Sequence, residues 1–191
     1  AEKADVVLAV GTRLQDFTTG SHALVPQGRL LALNVQAFDA HKWHAEPLVC
    51  DARAGLAALA AGMQGWQADE LWTAAARRAA AHWNARVTAL TTTPQPGVLP
   101  YDADVIGAVR DSAPDSPAGD VVVCAAGTLP AELHKLWRSA LPGNYHMEYG
   151  YSCMGYEIAG GLGVKLARPG REVVVMVGDG SYLMMNSEIA S

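Results

Sequence analysis

The chain has 191 residues, half of them hydrophobic and only 17% charged, which excludes a disordered polyelectrolyte. Lys and Arg number 14 against 19 Asp and Glu, and the resulting formal charge of −5 offers no basic footprint for nucleic acid or an anionic membrane. Cys50, Cys124 and Cys153 are odd in number and form no Cys-x-x-Cys pair, so neither a disulfide framework nor a zinc ribbon is expected, and a reducing, cytoplasmic compartment is.

No apolar run reaches the roughly 18 residues of a spanning helix. The first residues lack the basic-then-apolar signature of a secretory signal. Because the chain starts almost on a strand and stops inside a helical pattern, it is expected to be a piece of something longer.

The apolar run of residues 5–10, ended by Gly11, predicts a strand buried on both faces of a parallel sheet. Residues 29–35 predict a second strand and 47–50 a short third one. Asp51 is placed to cap a helix over 52–63, with Leu56, Leu59 and Met63 on its inner face. This order is the tail of a doubly wound α/β domain. His41 and His44 have helical spacing but no further ligand nearby, and are expected at the surface.

Residues 69–90 contain no Gly or Pro, and Leu71, Ala75, Ala79, Trp83 and Val87 recur every fourth position, which predicts one long amphipathic helix. The Thr-Thr-Thr-Pro-Gln-Pro-Gly run of residues 91–97 is the strongest linker signal in the chain. A helix near 102–111 follows, with Val105, Ile106 and Val109 inward, and then a turn-rich loop over 111–119. Residues 120–124 read as a buried strand, leading through Gly127 and Thr128 to a helix over 131–138 with Pro130 in its first turn. Residues 141–152 form an irregular aromatic loop in this reading, and 154–167 a helix rich in small residues. Residues 172–177 are the most strand-like run of all, and Gly178, Asp179, Gly180 and Ser181 turn it into another helix.

The chemistry points to the ends of two strands. A parallel strand presents its ligand at its carboxyl edge, and helix starts favour phosphate. Asp179 beside such an anion site makes sense only with a cation between them, and a hard divalent ion such as Mg²⁺, liganded by oxygen, fits. The turn at Gly127, Thr128 and Leu129 repeats the arrangement, so two neighbouring strands are expected to grip one diphosphate. The Gly-Leu-Gly of residues 161–163 lies inside a helix, where small residues serve close packing.

The run Tyr-Gly-Tyr-Ser-Cys-Met-Gly-Tyr-Glu-Ile-Ala-Gly-Gly-Leu-Gly-Val-Lys of residues 149–165, followed by Val-Val-Met-Val-Gly-Asp-Gly-Ser-Tyr of 174–182, resembles the diphosphate-binding domain of thiamine-diphosphate enzymes of the acetolactate-synthase type. Together with residues 11–20 and 33–39, the wording resembles most the members that open a cyclic dione ring in inositol breakdown. The resemblance implies an α/β fold made of parts of two doubly wound parallel-sheet domains. Residues 1–65 would be part of the central domain, 66–99 a long helix and Pro/Gly linker, and 100–191 part of the diphosphate-binding domain.

Carried over by motif, the resemblance makes Asp179 the carboxylate ligand of Mg²⁺. Gly178, Gly180 and Ser181 would bind the diphosphate through backbone and hydroxyl groups. Gly127, Thr128 and Leu129 match the family's other diphosphate turn by position only. Met154 stands where the family places an apolar wedge that keeps thiamine diphosphate bent, and the Ser152 carbonyl is placed to bond the aminopyrimidine. The family's metal motif ends at an Asn beyond a further helix and strand, for which Asn186 lies too early. The glutamate that activates the aminopyrimidine belongs to an amino-terminal domain outside these residues, so no catalytic residue is assigned here, and Glu157 is read as structural or substrate-side.

The implied activity is a thiamine-diphosphate- and Mg²⁺-dependent hydrolysis of a C–C bond in a cyclic 1,2-dione, by a parent enzyme that is a homo-oligomer acting on a small molecule. The chain alone would carry half a cofactor site and no turnover. Acetolactate-type carboligation or 2-oxoacid decarboxylation is the alternative with the same cofactor; a non-catalytic binding or scaffolding module is the alternative of another class. A dinucleotide-binding protein is weaker, because no Gly-x-Gly-x-x-Gly follows the first strand. His146, Glu148, Tyr149 and Tyr151, in the loop before the wedge, are candidates for the substrate side, the tyrosines equally for packing. Cys124 and Cys153 are read as buried small residues.

Overall fold

The computed structural model describes residues 2–25, 29–92, 97–112, 120–139 and 141–191. The central residues of the 91–97 linker and most of the 111–119 loop lie outside these. The chain divides into two compact units, 1–69 and 70–191. Among the described residues no helix is long and apolar enough to cross a membrane.

The first unit is built on a parallel sheet of three strands in the order β1-β2-β3, where β1 is Val6–Val10, β2 Arg29–Asn34 and β3 Glu46–Val49. The short helices α1 (Asp16–Thr19) and α2 (Ala37–Ala40) lie in the connections, and α3 (Ala52–Gly62) follows β3. Asp51 caps α3 as its spacing predicts, its carboxylate accepting from the N–H groups of Arg53 at 2.9 Å and Ala54 at 3.2 Å. Ala9, Leu14, Val25, Leu30, Ala32 and Ala45 form the core.

Two expectations fail in this unit. β1 is not buried on both faces: Val6, Leu8 and Val10 are exposed, because β1 is an edge strand with no described helix across that face. The proposed inner face of α3 is not buried either. The helix instead meets the sheet through Gly55, where an added Cβ would run into the Leu33 side chain and Cys50 Sγ. His41 and His44 are exposed.

The second unit starts with α4 (Glu70–Thr91), so the long helix packs within this unit. Of its fourfold apolar stripe only Val87 is buried, while Leu71 and Trp83 face solvent. α5 (Asp102–Asp111) lies against α4 where Gly107 meets the Thr91 carbonyl; any side chain at 107 would collide there. Ile106 is fully buried as predicted, but Val105 is exposed.

The sheet of this unit is parallel, in the order β5-β4-β6, with β4 Val121–Cys124, β5 Tyr145–Met147 and β6 Val173–Val175. All four residues of β4 are buried, as expected for the central strand. β5 corrects the reading of 141–152 as an irregular loop. Of Tyr-His-Met only Tyr145 favours a strand, and three residues are too few to show an alternating pattern, so pairing with β4 decides the conformation. The helices are α6 (Thr128–Leu136), α7 (Tyr156–Ala167) and α8 (Asp179–Met185), the last running into a 3₁₀ turn over Asn186–Ala190. Val87, Ile106, Val122, Cys124, Leu133, Leu136 and Met176 form the core.

Candidate functional site

The register of the second sheet decides which turns meet. Val121 pairs with Val173 and Val123 with Val175, and Met176 N–H then donates to the Val123 carbonyl at 3.0 Å. β4 and β6 therefore end at the same carboxyl edge, and the turns leading into α6 and α8 are brought side by side. On the other side of β4, Glu148 N–H donates to the Cys124 carbonyl at 3.2 Å. The strap of residues 148–155 begins there and ends against α8, where a Cβ on Gly155 would collide with Met185 Cγ and lie 3.5 Å from the Ser181 carbonyl. The strap thus spans the mouth of β4.

Gly127 starts α6 with φ 129° and ψ −174°, a conformation open essentially to glycine alone. An added Cβ would meet only Pro130 Cδ, at 3.7 Å, so space remains in front of this turn. Thr128 is exposed, whereas the Leu129 side chain packs on the core, leaving its backbone as the part that faces outward. Pro130 has no N–H, and Ala131 N–H is spent on the Gly127 carbonyl at 3.1 Å, so Thr128 and Leu129 hold the free first-turn amides of α6.

At the neighbouring turn, Gly178 has φ −75°, which any residue adopts; the absence of a side chain leaves open space, with no atom within 4 Å of a Cβ. Asp179 is exposed and makes no ion pair among the described residues. Its Oδ1 accepts from Gly180 N–H at 2.8 Å. Ser181 is 2% exposed, so the turn presents its backbone and the Asp179 carboxylate rather than the serine hydroxyl. Met154 is 42% exposed, and its Cε lies 3.7 Å from where Gly180 would carry a Cβ. Ser152, two residues earlier, is exposed with φ 55°. The structure therefore gathers Ser152, Met154, Gly178, Asp179, Gly180 and Ser181 around one edge, with Gly127, Thr128 and Leu129 at the adjacent strand end.

Several neighbours differ from the sequence reading. Glu148 is occupied by backbone: its two oxygens accept from Tyr151 N–H at 3.0 Å and Cys153 N–H at 2.7 Å. Those bonds hold its carboxyl below the usual carboxylate range, the Cys153 amide contributing most. His146 Nε2 lies 3.0 Å from the Gly143 carbonyl. Tyr151 is 86% exposed and packs on nothing that buries it. Cys153 is exposed, not buried, because the strap turns it outward beside Glu148. Cys124 is fully buried, its Sγ 3.4 Å from Tyr145 Oη, and burial pushes its thiol above the ordinary range. Such a thiol is an inert packing group. Gly161 serves packing, since a Cβ there would run into Val175 Cγ2.

Glu157 is the feature that sequence reasoning left least resolved. It is fully buried, Oε2 accepts from Gly155 N–H at 2.8 Å, and Oε1 has no hydrogen-bond partner among the described residues. An acidic residue in the first turn of α7 was its only sequence signal.

Two glycine-bearing strand-to-helix turns on adjacent parallel strands define a class: an α/β domain with open turns at the carboxyl edge of its sheet, where such folds place ligands. Residues 125–191 match the family described as thiamine pyrophosphate enzyme, C-terminal TPP binding domain. Over its whole length the chain is 38% identical to the 3D-(3,5/4)-trihydroxycyclohexane-1,2-dione hydrolases of Geobacillus thermodenitrificans and of Bacillus cereus strain AH820. It is 37% identical to a second hydrolase of that name in Bacillus cereus strain ZK / E33L. The chain spans 33% of the length of each of these curated relatives.

Proposed function

We propose that the chain supplies the diphosphate and metal side of a thiamine-diphosphate- and Mg²⁺-dependent hydrolase that breaks a C–C bond of a cyclic 1,2-dione in inositol breakdown. The observation that carries this reading is the pairing of β4 with β6, which sets the open turns at Gly127 and Gly178 next to one another, with Asp179, which makes no ion pair among the described residues, between glycines. The 38% identity to hydrolases of that name supports the substrate class.

The residues present fit the group. A diphosphate needs backbone donors and room to approach them, and both turns lack the side chain that would fill that room. Thr128 and Leu129 would donate amides on one side, with Gly178, Gly180 and Ser181 forming the other wall. Asp179 would repel a bare diphosphate, and it would be the carboxylate ligand of a magnesium ion bound with it. Among the described residues no three His, Cys, Asp or Glu converge as a metal cage, so Asp179 would hold the metal only together with ligands from the diphosphate.

When bound, thiamine diphosphate supplies the carbon nucleophile and the electron sink for breaking a bond next to a carbonyl. The protein's part is orientation. Met154 would press between the two rings from the floor above Gly180, and the Ser152 carbonyl would accept from the aminopyrimidine. In this reading the whole enzyme is a homo-oligomer with a small-molecule substrate.

The test is a titration of the protein with thiamine diphosphate in the presence and absence of Mg²⁺, followed by assay of the full polypeptide on a cyclic 1,2-dione and on pyruvate. Metal-dependent binding with ring opening supports the reading. Turnover of pyruvate alone would reassign it to carboligation or decarboxylation, and no binding under any condition would make the chain a scaffolding module.

A further inference from the structure

The strap across the mouth of β4 is held by two carboxylates acting on alternate amides. Glu148, the residue after β5, takes Tyr151 N–H and Cys153 N–H with separate oxygens at 3.0 and 2.7 Å. Glu157, in the first turn of α7, takes Gly155 N–H at 2.8 Å from a fully buried position. Met154 stands between the last two of these amides, and Ser152 between the first two.

The strap would not keep this shape by itself. Ser152 has φ 55°, a left-handed conformation that a residue with a Cβ holds only when its surroundings over-determine it. Gly155 is left-handed at φ 93° and has no room for a Cβ, so its position against Met185 is fixed. Hydrogen bonds from amides to an ionised carboxylate are roughly twice as strong as neutral ones. Two such bonds to Glu148 and the buried bond from Gly155 to Glu157 fall within five residues and constrain the segment that holds the two left-handed residues.

Resting on the reading above, we propose that Glu148 and Glu157 are positioning residues for the cofactor: they set the Ser152 carbonyl and the Met154 side chain where thiamine diphosphate would meet them. Neither carboxylate touches the cofactor in this role. Both act through the backbone of the strap.

The two glutamates differ in a way that makes the proposal sharp. Both Glu148 oxygens are in use, so Glu148→Gln turns one acceptor into a donor facing an N–H and loses one bond. Among the described residues Glu157 uses one oxygen only, so Glu157→Gln keeps an acceptor for Gly155 N–H, while Glu157→Leu keeps none. The same Glu→Gln change therefore costs a bond at 148 and none at 157, a difference that a general loss of negative charge would not produce.

The experiment measures thiamine diphosphate affinity with Mg²⁺, the circular-dichroism signature of the bound aminopyrimidine, and amide exchange at residues 151, 153 and 155, all on the full polypeptide. Glu148→Gln and Glu157→Leu are expected to bind about tenfold more weakly, the loss of one hydrogen bond that holds the strap. Both should also lose protection at the amides they serve. Glu157→Gln should stay close to the unsubstituted protein, including its dichroic signature, and a thermal melt identifies any variant that fails to fold. Binding and exchange unchanged in Glu148→Gln, or Gln and Leu equivalent at 157, overturns the proposal while leaving the functional reading intact. Failure of the unsubstituted protein to bind the cofactor overturns both.

Discussion

The Met154 methyl group lies 3.7 Å from the point where Gly180 would carry a Cβ. The strap and the Asp179 turn are therefore in register, with one methyl group's width between them. Gly180→Ala makes an ordinary van der Waals contact with Met154, and alanine favours the helical conformation of α8 by up to about 1 kcal/mol. Its melting temperature should be unchanged or raised. Cofactor affinity should fall, because the added methyl narrows the approach to the turn. A stable Gly180→Ala protein that binds thiamine diphosphate normally would remove this turn from the site.

Gly155 is a harder constraint. Its φ of 93° is left-handed, and its Cβ position is already taken by Met185 Cγ. Gly155→Ala is expected to cost about 1–3 kcal/mol from the backbone conformation alone, with the collision added. Adding Met185→Ala removes the collision but not the strain, so the double variant should recover part of the loss. Denaturant unfolding of the single and double variants measures the coupling.

Acid should loosen the strap before it loosens the sheet. The amide bonds to Glu148 lower its folded-state pKa below the ordinary 4.5, so the ionised form is the one the fold favours. Its contribution is complete above the ordinary value and is lost as pH falls through the lowered one. Exchange protection at Tyr151 and Cys153 should drop in that window, and Glu148→Gln should make it independent of pH there. Protection that persists in strong acid would show that other contacts hold the turn.

The parallel fold was legible because it is written in short Val-rich runs bounded by glycine and in a capping Asp. Burial was less legible. The apolar stripe of α4 is regular, yet only Val87 reaches the core, because helical spacing reports a face and not whether anything covers it. β5 was missed since Tyr145, His146 and Met147 become a strand only beside β4. The site turns were visible as glycines next to hydroxyl and acidic residues. The carboxylates that hold the strap were not, because their partners are backbone amides, which leave no mark in the side-chain sequence.

The two outer glycines of the Gly-Leu-Gly run separate packing from phosphate binding. Gly161 faces Val175 with no room for a methyl, whereas Gly163 faces open space. Gly161→Ala should cost about 1–3 kcal/mol through overpacking between α7 and β6. Gly163→Ala should stabilise α7 by up to about 1 kcal/mol. Neither should alter cofactor affinity beyond its effect on folding. Thermal melts set beside the binding titration check both statements, and a selective loss of affinity in Gly163→Ala would return that glycine to the site.

Asp179 offers the cleanest division of stability from function. It is exposed, it makes no ion pair among the described residues, and its one backbone bond is to the next residue, Gly180. Asp179→Asn keeps the size and an acceptor oxygen, so its unfolding free energy should stay within about 0.5 kcal/mol of the unsubstituted protein. Removing the charge takes away the only carboxylate that the two turns present to a divalent ion. Thiamine diphosphate binding should then lose its dependence on Mg²⁺, because the cation no longer has a protein anchor opposite the diphosphate. The decisive measurement is a pair of cofactor titrations, with and without Mg²⁺, on the two proteins. If the metal strengthens binding equally in both, the ion is held elsewhere and Asp179 is not its ligand.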